Sequence, residues 1–322
     1  MSSPKTCHKC SQPACYIRPH GKLPLCLTHF NESFVRRVKK TILDNNLIKR
    51  NDRIAVGVSG GKDSIALLTV LHELEKDLPS ELVVITIDEG IANYREDSVK
   101  YAKLAAEKFD LEHHIYSFKD LFGYSLDEII AIDAKTERSL GACSFCGILR
   151  RRALNVVARE AGVDVLCTGH NQDDEAQTVI MNVLRGEILR IMRSSPTPNK
   201  KHQSLIPRAK PFRRTPEEEI VLYCVLNDLP YQEASCSYAV EASRGPLRDF
   251  MLDYQNMYPS TGMNVISSAD KILELASQLK EPLNNKYSKR KIDTCPECGE
   301  ISSSGQCKVC EVVSYLKEKE ES

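Results

Sequence analysis

The run Ile54-Ala55-Val56-Gly57-Val58-Ser59-Gly60-Gly61-Lys62-Asp63-Ser64 constrains this chain more than any other stretch. A short apolar strand enters a Ser-Gly-Gly-Lys-Asp-Ser turn, and Leu67, Leu68, Leu71 and Leu74 then recur at helical spacing. A strand that turns at once into a helix is half of a crossover unit, which commits the chain to an α/β sheet. Gly60 and Gly61 let the backbone close on an anion and aim N–H groups at it. A helix starting near Asp63 adds the positive end of its dipole. Lys62 contributes a point charge, Ser59 and Ser64 contribute hydroxyls, and Gly57 brings the strand to the turn. The pattern is a phosphate cradle without the Walker spacing Gly-x-x-x-x-Gly-Lys-Ser/Thr.

The flanking segments extend the same alternation. Asn31 can cap a helix running to about Asn46, and strands are expected at Arg53–Val58, Leu82–Asp88, His113–Ser117 and Val163–Thr168. Helices are expected to Lys76 after the cradle, then at Tyr94–Phe109, Gly147–Ala161 and Asp173–Leu184. The unbroken β-rich run Leu82–Asp88 suits a strand buried on both faces of a parallel sheet. Ser59, Asp88 and Gly169 then fall just past strand ends, where such sheets bind ligands. Ser194–Pro216 reads as a proline-rich loop, and helical patterns return at Thr215–Asn227, Gly245–Tyr258 and Ser267–Leu279. Lys280–Asp293 reads as a polar linker. The domains expected are 1–30, 31–280 and 281–322.

Among 322 residues, 42% are apolar and 27% charged, the balance of an ordinary globular protein. No apolar run reaches the roughly 18 residues of a membrane span, and the first residues lack an apolar signal core, so a cytoplasmic protein is expected. Thirteen cysteines in such a protein point to metal more than to disulfides. Cys295-Pro-Glu-Cys298 and Cys307-Lys-Val-Cys310, eight residues apart, form two knuckles of a four-thiolate zinc site that would supply the folding free energy of its module. Cys7, Cys10, Cys26 and His29 offer a second such site, with His8, His20 and Cys15 as rival ligands. Both sets are closed, and closed sites are structural. Cys167 and Cys224 read as core residues.

Cys143-Ser-Phe-Cys146 opens a helix with Arg150, Arg151 and Arg152 in its first turns, a setting that lowers thiol pKa. The pair is one knuckle without a second. Cys236 is a distant third candidate that sequence chemistry cannot bring to it. A redox dithiol and an iron–sulfur cluster with three protein ligands both remain open. Net charge is zero, yet nine Lys or Arg stand between Arg185 and Arg214 against one acid, Glu187. Lys286–Lys291 adds another basic run. Such segregation is the footprint of phosphate-backbone binding.

The cradle Ser-Gly-Gly-x-Asp-Ser resembles the pyrophosphate loop of ATP pyrophosphatases, which cleave ATP between its α and β phosphates. With Ile87-Asp88-Glu89-Gly90-Ile91, Cys143–Cys146, Gly169-His170-Asn171-Gln172-Asp173-Asp174, Cys236-Ser-Tyr238 and both terminal cysteine sets, the chain resembles the tRNA 2-thiolation family. Gly147–Asn155 and Ala242-Ser-Arg244-Gly245 look like its cytosolic wobble-uridine group, while Ser237 stands where the family commonly has Pro.

The resemblance implies an α/β, parallel-sheet, adenine-nucleotide alpha-hydrolase-like (pyrophosphate-loop) domain flanked by N- and C-terminal zinc-binding modules. It implies an ATP-dependent tRNA sulfurtransferase that adenylates the C2 oxygen of a uridine, position 34, and replaces it with sulfur. A 4Fe-4S cluster on Cys143, Cys146 and Cys236 would carry the sulfur, with a cysteine persulfide as the alternative. Gly57, Ser59, Gly60, Gly61, Lys62, Asp63 and Ser64 would bind ATP, with Ile87 against adenine, Arg150 at the α-phosphate and Gly169 allowing close approach. Asp63 or Asp174 would hold Mg2+. Arg208, Lys210, Arg213 and Arg214 would track the tRNA backbone. The donor would be sulfide or a thiocarboxylated ubiquitin-like protein, and the enzyme a homodimer with no membrane partner. The rivals are a T-loop uridine or cytidine thiolase, an adenylating amide synthetase of the NAD or GMP type, and a non-catalytic RNA-binding module.

Overall fold

A computed structural model describes residues 5–135, 140–192, 196–197, 204–241, 244–278 and 293–320, apart from the side chains of His20, Val240 and Glu241. The hairpin β1 (Tyr16–Arg18) and β2 (Leu23–Leu25) leads into α1 (Leu27–Asp44). Then come β3 (Arg53–Gly57), α2 (Lys62–Leu74), β4 (Glu81–Asp88), α3 (Arg95–Lys108) and β5 (Glu112–Ser117). Two short helices, α4 (Phe118–Phe122) and α5 (Leu126–Asp133), precede the long α6 (Ala142–Glu160). After β6 (Val165–Thr168), α7 (Gln172–Leu184) and α8 (Ile188–Met192), the chain forms β7 (Arg208–Ala209) and α9 (Glu217–Leu226). Helices α10 (Gly245–Met257) and α11 (Thr261–Ser277) follow, and β8 (Asp293–Thr294), β9 (Ile301–Ser302) and α12 (Lys308–Glu320) come last.

Five parallel strands form the central sheet in the order β5-β4-β3-β6-β7, with Val56 opposite both Val84 and Cys167. Chain direction across the sheet reverses beside β3, and a crevice opens there at the carboxyl ends of β3 and β6. Alternation along each strand divides the core. Ile54, Val56, Leu82 and Val84 join α1, α2 and α9 on one face, while Ala55, Val83, Ile85 and Ile87 join α5, α6 and α12 on the other. Cys167 and Cys224 are fully buried, as a small hydrophobe in a core should be.

Both cysteine-rich ends are fastened to this sheet. Phe34 on α1 stacks on Tyr223 of α9 with ring centroids 4.3 Å apart. Arg18 and Arg37 both reach the buried carboxylate of Glu219, at 3.3 and 2.8 Å. At the other end, Val309, Val312 and Leu316 of α12 pack into the α5–α6 side of the core.

Several expectations need correction. The first helix begins at Leu27, not Asn31, and the Asn31 amide instead donates to Asn227 Oδ1 at 2.8 Å. The stretch expected as loop contributes the edge strand β7, paired to Leu166 and Cys167 of β6. The helix expected from Ser267 begins at Thr261. Gly262 there lies so close to Gln172 and Gln255 that a Cβ would sit 2.8 and 2.6 Å from their amide atoms. The linker over 280–292, the basic run at 286–291, and Ala242 and Ser243 lie outside the described residues. Among the described residues no helix is long and apolar enough to cross a membrane.

The cradle's backbone depends on one of its two glycines. Gly60 sits at φ +87°, and a Cβ there would lie 2.0 Å from the Ser98 carbonyl oxygen, whereas Gly61 has φ −82° and a Cβ there would only touch Ser59 Oγ at 3.7 Å. Gly60→Ala should therefore destabilise the protein by about 1–3 kcal/mol, while Gly61→Ala stays within about 1 kcal/mol. Thermal unfolding of the two variants checks this, and equal midpoints would show that the left-handed turn is not required.

Candidate active site

The crevice is a cavity of about 360 Å3 lined by residues from every element that meets the switch point. Gly57, Ser59, Asp63 and Ser64 come from the cradle, Ile87 and Glu89 from the end of β4, Gly169 and His170 from the end of β6. Arg150, Asp174 and Cys236 close it. The spacing argument for the sheet rim thus brings Ser59 and Gly169 together. Asp88 has a different task, accepting the Gly90 N–H at 2.8 Å.

Arg95, which the sequence did not single out, holds this rim together. Its buried guanidinium donates to the carbonyls of Ser59 (3.1 Å) and Ile87 (2.5 Å) and pairs with Glu89 at 2.8 Å. It therefore ties the ends of β3 and β4 to each other. Glu89, itself buried, also holds Arg150 at 2.6 Å. Burial opposes the Arg150 charge, but Glu89 and then Cys146 outweigh it and keep the group above its ordinary range. The Ile87 carbonyl expected to meet a nucleotide base already accepts from Arg95.

In the cradle, Lys62 Nζ lies 2.8 Å from both Asp63 and Glu217. Burial disfavours its charge, but Asp63 and Glu217 overcome this and raise its pKa. Ser64 Oγ accepts the Ser59 N–H at 3.1 Å and closes the turn. Asn171, at the N-cap of α7, accepts from the N–H groups of Asp173 and Asp174 and also donates to Asp63 Oδ1 at 3.0 Å. Asn171 and Asp174 form a reciprocal capping box, with the Asp174 carboxylate accepting the Asn171 N–H at 3.2 Å, while Asp173 is occupied by Gln255 and the Glu217 N–H. Asp174 stays at the cavity, its pKa raised first by burial and further by the neighbouring Asp63 charge. Two crowded carboxylates are a donor set that a hard divalent cation would relieve. Gly169 does permit a close approach, but of the Asp63 backbone, 3.0 Å from where its Cβ would be.

The fold brings the three central cysteines into one neighbourhood. Cys143 and Cys146 lie in the first turns of α6, and Cys236 precedes a 3-10 turn at Ser237–Glu241. The Cys143 thiol faces the Tyr238 carbonyl at 3.8 Å, and Cys236 and Cys143 both act on the Cys146 charge. Of the three, Cys236 lines the cavity, and three soft thiols are the donor chemistry of a cluster bound through three protein ligands. Cys146 is not the low-pKa thiol expected at a helix start beside arginines. Burial pushes it up to about 11 although Arg150 Nη2 lies 2.9 Å from its sulfur.

At the N-terminal end, His29 Nδ1 stands 3.3, 3.5 and 3.3 Å from the sulfurs of Cys7, Cys10 and Cys26. Cys15, a rival ligand, faces the Leu25 carbonyl instead. At the other end, Cys295, Cys298, Cys307 and Cys310 also place all donor atoms within 4.8 Å of one another. Backbone N–H groups of Lys9, Cys307 and Cys310 point at thiolate positions in these knuckles. Each set suits a tetrahedral ion.

The three consecutive arginines of α6 diverge. Arg150 serves Glu89, the Arg151 carbonyl accepts from Arg208 at 2.8 Å, and Arg152 reaches Cys298 at 3.6 Å. Of the basic run that reads as a backbone-binding stripe, Arg185 and Arg190 are exposed, Arg193, Lys200 and Lys201 lie outside the described residues, and the end from Arg208 to Arg214 is turned inward. Arg213 is 3% exposed and grips Asp270 through two hydrogen bonds of 2.9 and 2.5 Å. Arg214 shares Asp270 at 3.5 Å, and Lys210 pairs with Glu175 at 2.5 Å. Arg208 is different, since burial and then the like charge of Arg151 lower its pKa.

Residues 30–254 match the family described as the PP-loop domain. The chain is 36% identical over 315 residues to cytoplasmic tRNA 2-thiolation protein 1 of Saccharomyces cerevisiae, covering 97% of this chain and 85% of that one. It is 37% identical over 316 residues to the protein of the same name in Oryza sativa subsp. japonica, with coverage of 97% and 83%. Among solved structures it resembles the U34-tRNA thiolase NcsA of Methanococcus maripaludis with its 4Fe-4S cluster. That likeness has a TM-score of 0.80 at 32% identity and covers 97% of this chain and 96% of the other.

The inward end of the basic run has a measurable consequence. Arg213→Met leaves Asp270 with Arg214 alone, at 3.5 Å, and Glu175 with Lys210 alone, and breaking such a buried pair costs about 3 kcal/mol. The thermal midpoint should fall by roughly 4 °C. A midpoint equal to that of the unaltered protein would contradict the internal pairing.

Proposed function

Since the chain belongs to the PP-loop family and to its tRNA 2-thiolation branch, we propose that it is an ATP-dependent tRNA sulfurtransferase that makes 2-thiouridine at the wobble position, 34. The observation that carries the reading is a single cavity lined by the phosphate cradle, Arg150, Asp174 and Cys236. An adenylation site and a thiol site that share one cavity can act on one base in succession. The site of action is the cytoplasm, in keeping with relatives whose names carry that word.

In this mechanism the β and γ phosphates of ATP rest on the N–H groups of Gly60, Gly61 and Lys62 at the start of α2. Lys62 gives up Asp63 and Glu217 for the pyrophosphate and stabilises the charge that develops on it. Asp63 and Asp174 hold Mg2+, and Arg150 faces the α-phosphate. The uridine C2 oxygen attacks the α-phosphorus and pyrophosphate leaves. Sulfur then attacks C2, the C2–O bond breaks, and AMP departs with the oxygen. Cys143, Cys146 and Cys236 would hold a 4Fe-4S cluster, which would supply the sulfur to be transferred. Arg150 and Glu89 keep the cavity wall between the nucleotide and these cysteines fixed. Zinc fills both terminal sets. The donor is sulfide or a thiocarboxylated ubiquitin-like protein, and the enzyme is a homodimer. A uridine in a loop is the suitable substrate, because the base must leave its stack to enter.

Anaerobic incubation with ATP, sulfide and unmodified tRNA, followed by quantifying AMP and mapping 2-thiouridine by mass spectrometry, tests the proposal. Asp63→Ala should lower thiolation by about 100-fold or more while tRNA affinity stays within about 5-fold of the unaltered protein. Full activity in that variant would remove the cradle from the reaction. Modified uridine in the T-loop with position 34 untouched would overturn the assignment of the base.

Cys143→Ala, Cys146→Ala and Cys236→Ala should each lose the visible absorption of the cluster and the thiolation activity, yet keep both zinc ions. Elemental analysis and an anaerobic spectrum read both. A normal spectrum in Cys236→Ala would rule out the three-ligand site in favour of a dithiol.

A further inference from the structure

Helix α10 begins at the rim of the cavity and runs outward from it. Arg244, its N-cap, lies 3.7 Å from Asp174 and donates to Thr178 at 3.1 Å. Arg248 lies 3.5 Å from Glu217, the carboxylate that holds Lys62. These contacts fix the inner face of the helix against the site. Around the helix from them, Phe250, Tyr254 and Tyr258 recur every four residues and are 57%, 41% and 58% exposed. Their ring centroids are 6.0 and 5.0 Å apart, so the three form one continuous aromatic stripe.

The chemistry of the stripe and of its surroundings narrows what it can hold. Every nucleobase has a π-face, and base–aromatic stacking tolerates any sequence. Ring spacings of 5.0–6.0 Å exceed the roughly 3.4 Å rise per nucleotide of a stacked strand. The stripe therefore suits bases already splayed apart, as in a loop, and not a duplex. Cations gather where the stripe meets the cavity. His170 and Asp174 both line the cavity there, and Arg244 lies 3.7 Å from Asp174 at the same rim. Phosphates would sit at that end and bases along the helix. Asp249 and Asp253 lie one and five residues beyond Arg248, so they share a helix face turned away from the arginines, which keeps a phosphate backbone to the arginine side.

We propose that Phe250, Tyr254 and Tyr258 form a stacking platform for the bases next to the target uridine, holding the opened loop while that uridine enters the cavity. The inference rests on the tRNA reading above, adding the surface that selects an unpaired loop.

The test uses the full-length protein and an unmodified anticodon stem-loop RNA, with affinity measured by fluorescence anisotropy over a range of salt. Tyr254→Ala and the pair Phe250→Ala with Tyr258→Ala should each weaken binding by about 5- to 100-fold per ring removed. The slope of log affinity against log salt should not change, because no phosphate contact is lost. Tyr254→Phe should bind like the unaltered protein. Alanine variants of unchanged affinity would overturn the platform while leaving the thiolation reading intact; failure of the unaltered protein to bind the RNA would instead overturn that reading. Unchanged RNA affinity with a lower mass in light scattering would make the stripe a protein interface and defeat the proposal. A 4-thiouridine placed beside the target base and irradiated on the unaltered protein gives a readout independent of any variant's folding. Crosslinks to α10 support the platform, and crosslinks confined to other elements refute it.

Discussion

The site depends on a buried guanidinium. Arg95 binds two carbonyls at neighbouring strand ends, that of Ser59 just past β3 and that of Ile87 near the end of β4, and is neutralised by Glu89. Strand ends in an open sheet leave their carbonyls without ladder partners, and a buried carbonyl without a partner is costly. One planar group with five donors can satisfy both carbonyls and hold a fixed distance between them. Glu89 then passes the same constraint to Arg150 on α6, the helix that carries Cys143 and Cys146. The cradle, the rim of β4 and the cysteine helix are thus positioned by a short chain of ion pairs.

The cradle is also kept electrically quiet when no nucleotide fills it. Lys62 has two carboxylates within 2.8 Å, and one of them, Glu217, reaches toward Arg248 on α10. Three glutamates at the start of α9 divide their work on this basis. Glu217 faces the cradle, while Glu219 anchors Arg18 and Arg37 beside the N-terminal donor set. A single helical turn therefore links the cysteine–histidine end of the chain to the phosphate site.

What the sequence disclosed depended on the range of the signal. The strands, the cradle and the two terminal donor sets are set by residues close in sequence, and their spacing was readable. Two short helices were missed although both carry local marks: Ser117 with Asp120 and Ser125 with Glu128 are reciprocal capping boxes. Strand β7 has two residues beside prolines and offers no period to detect. The inward pairing of Arg213 was not readable because its partners, Glu175 and Asp270, are separated from it by long stretches of chain. Charge segregation in a sequence says nothing of which cations face a buried acid. Arg95 stayed hidden inside an ordinary amphipathic helix, and the meeting of Cys236 with Cys143 and Cys146 is a property of the folded chain.

The packing of α12 against α6 bears on how the protein is made. Val309, Val312 and Leu316 complete the core that contains Phe145, Cys146 and Leu149. A ribosome adds roughly 5–20 residues per second, so the cysteine helix emerges roughly 10–30 s before the segment that covers it. Until then the side of α6 that carries Phe145, Cys146 and Leu149 lacks part of its packing. A segment made late completes the core around a helix made early.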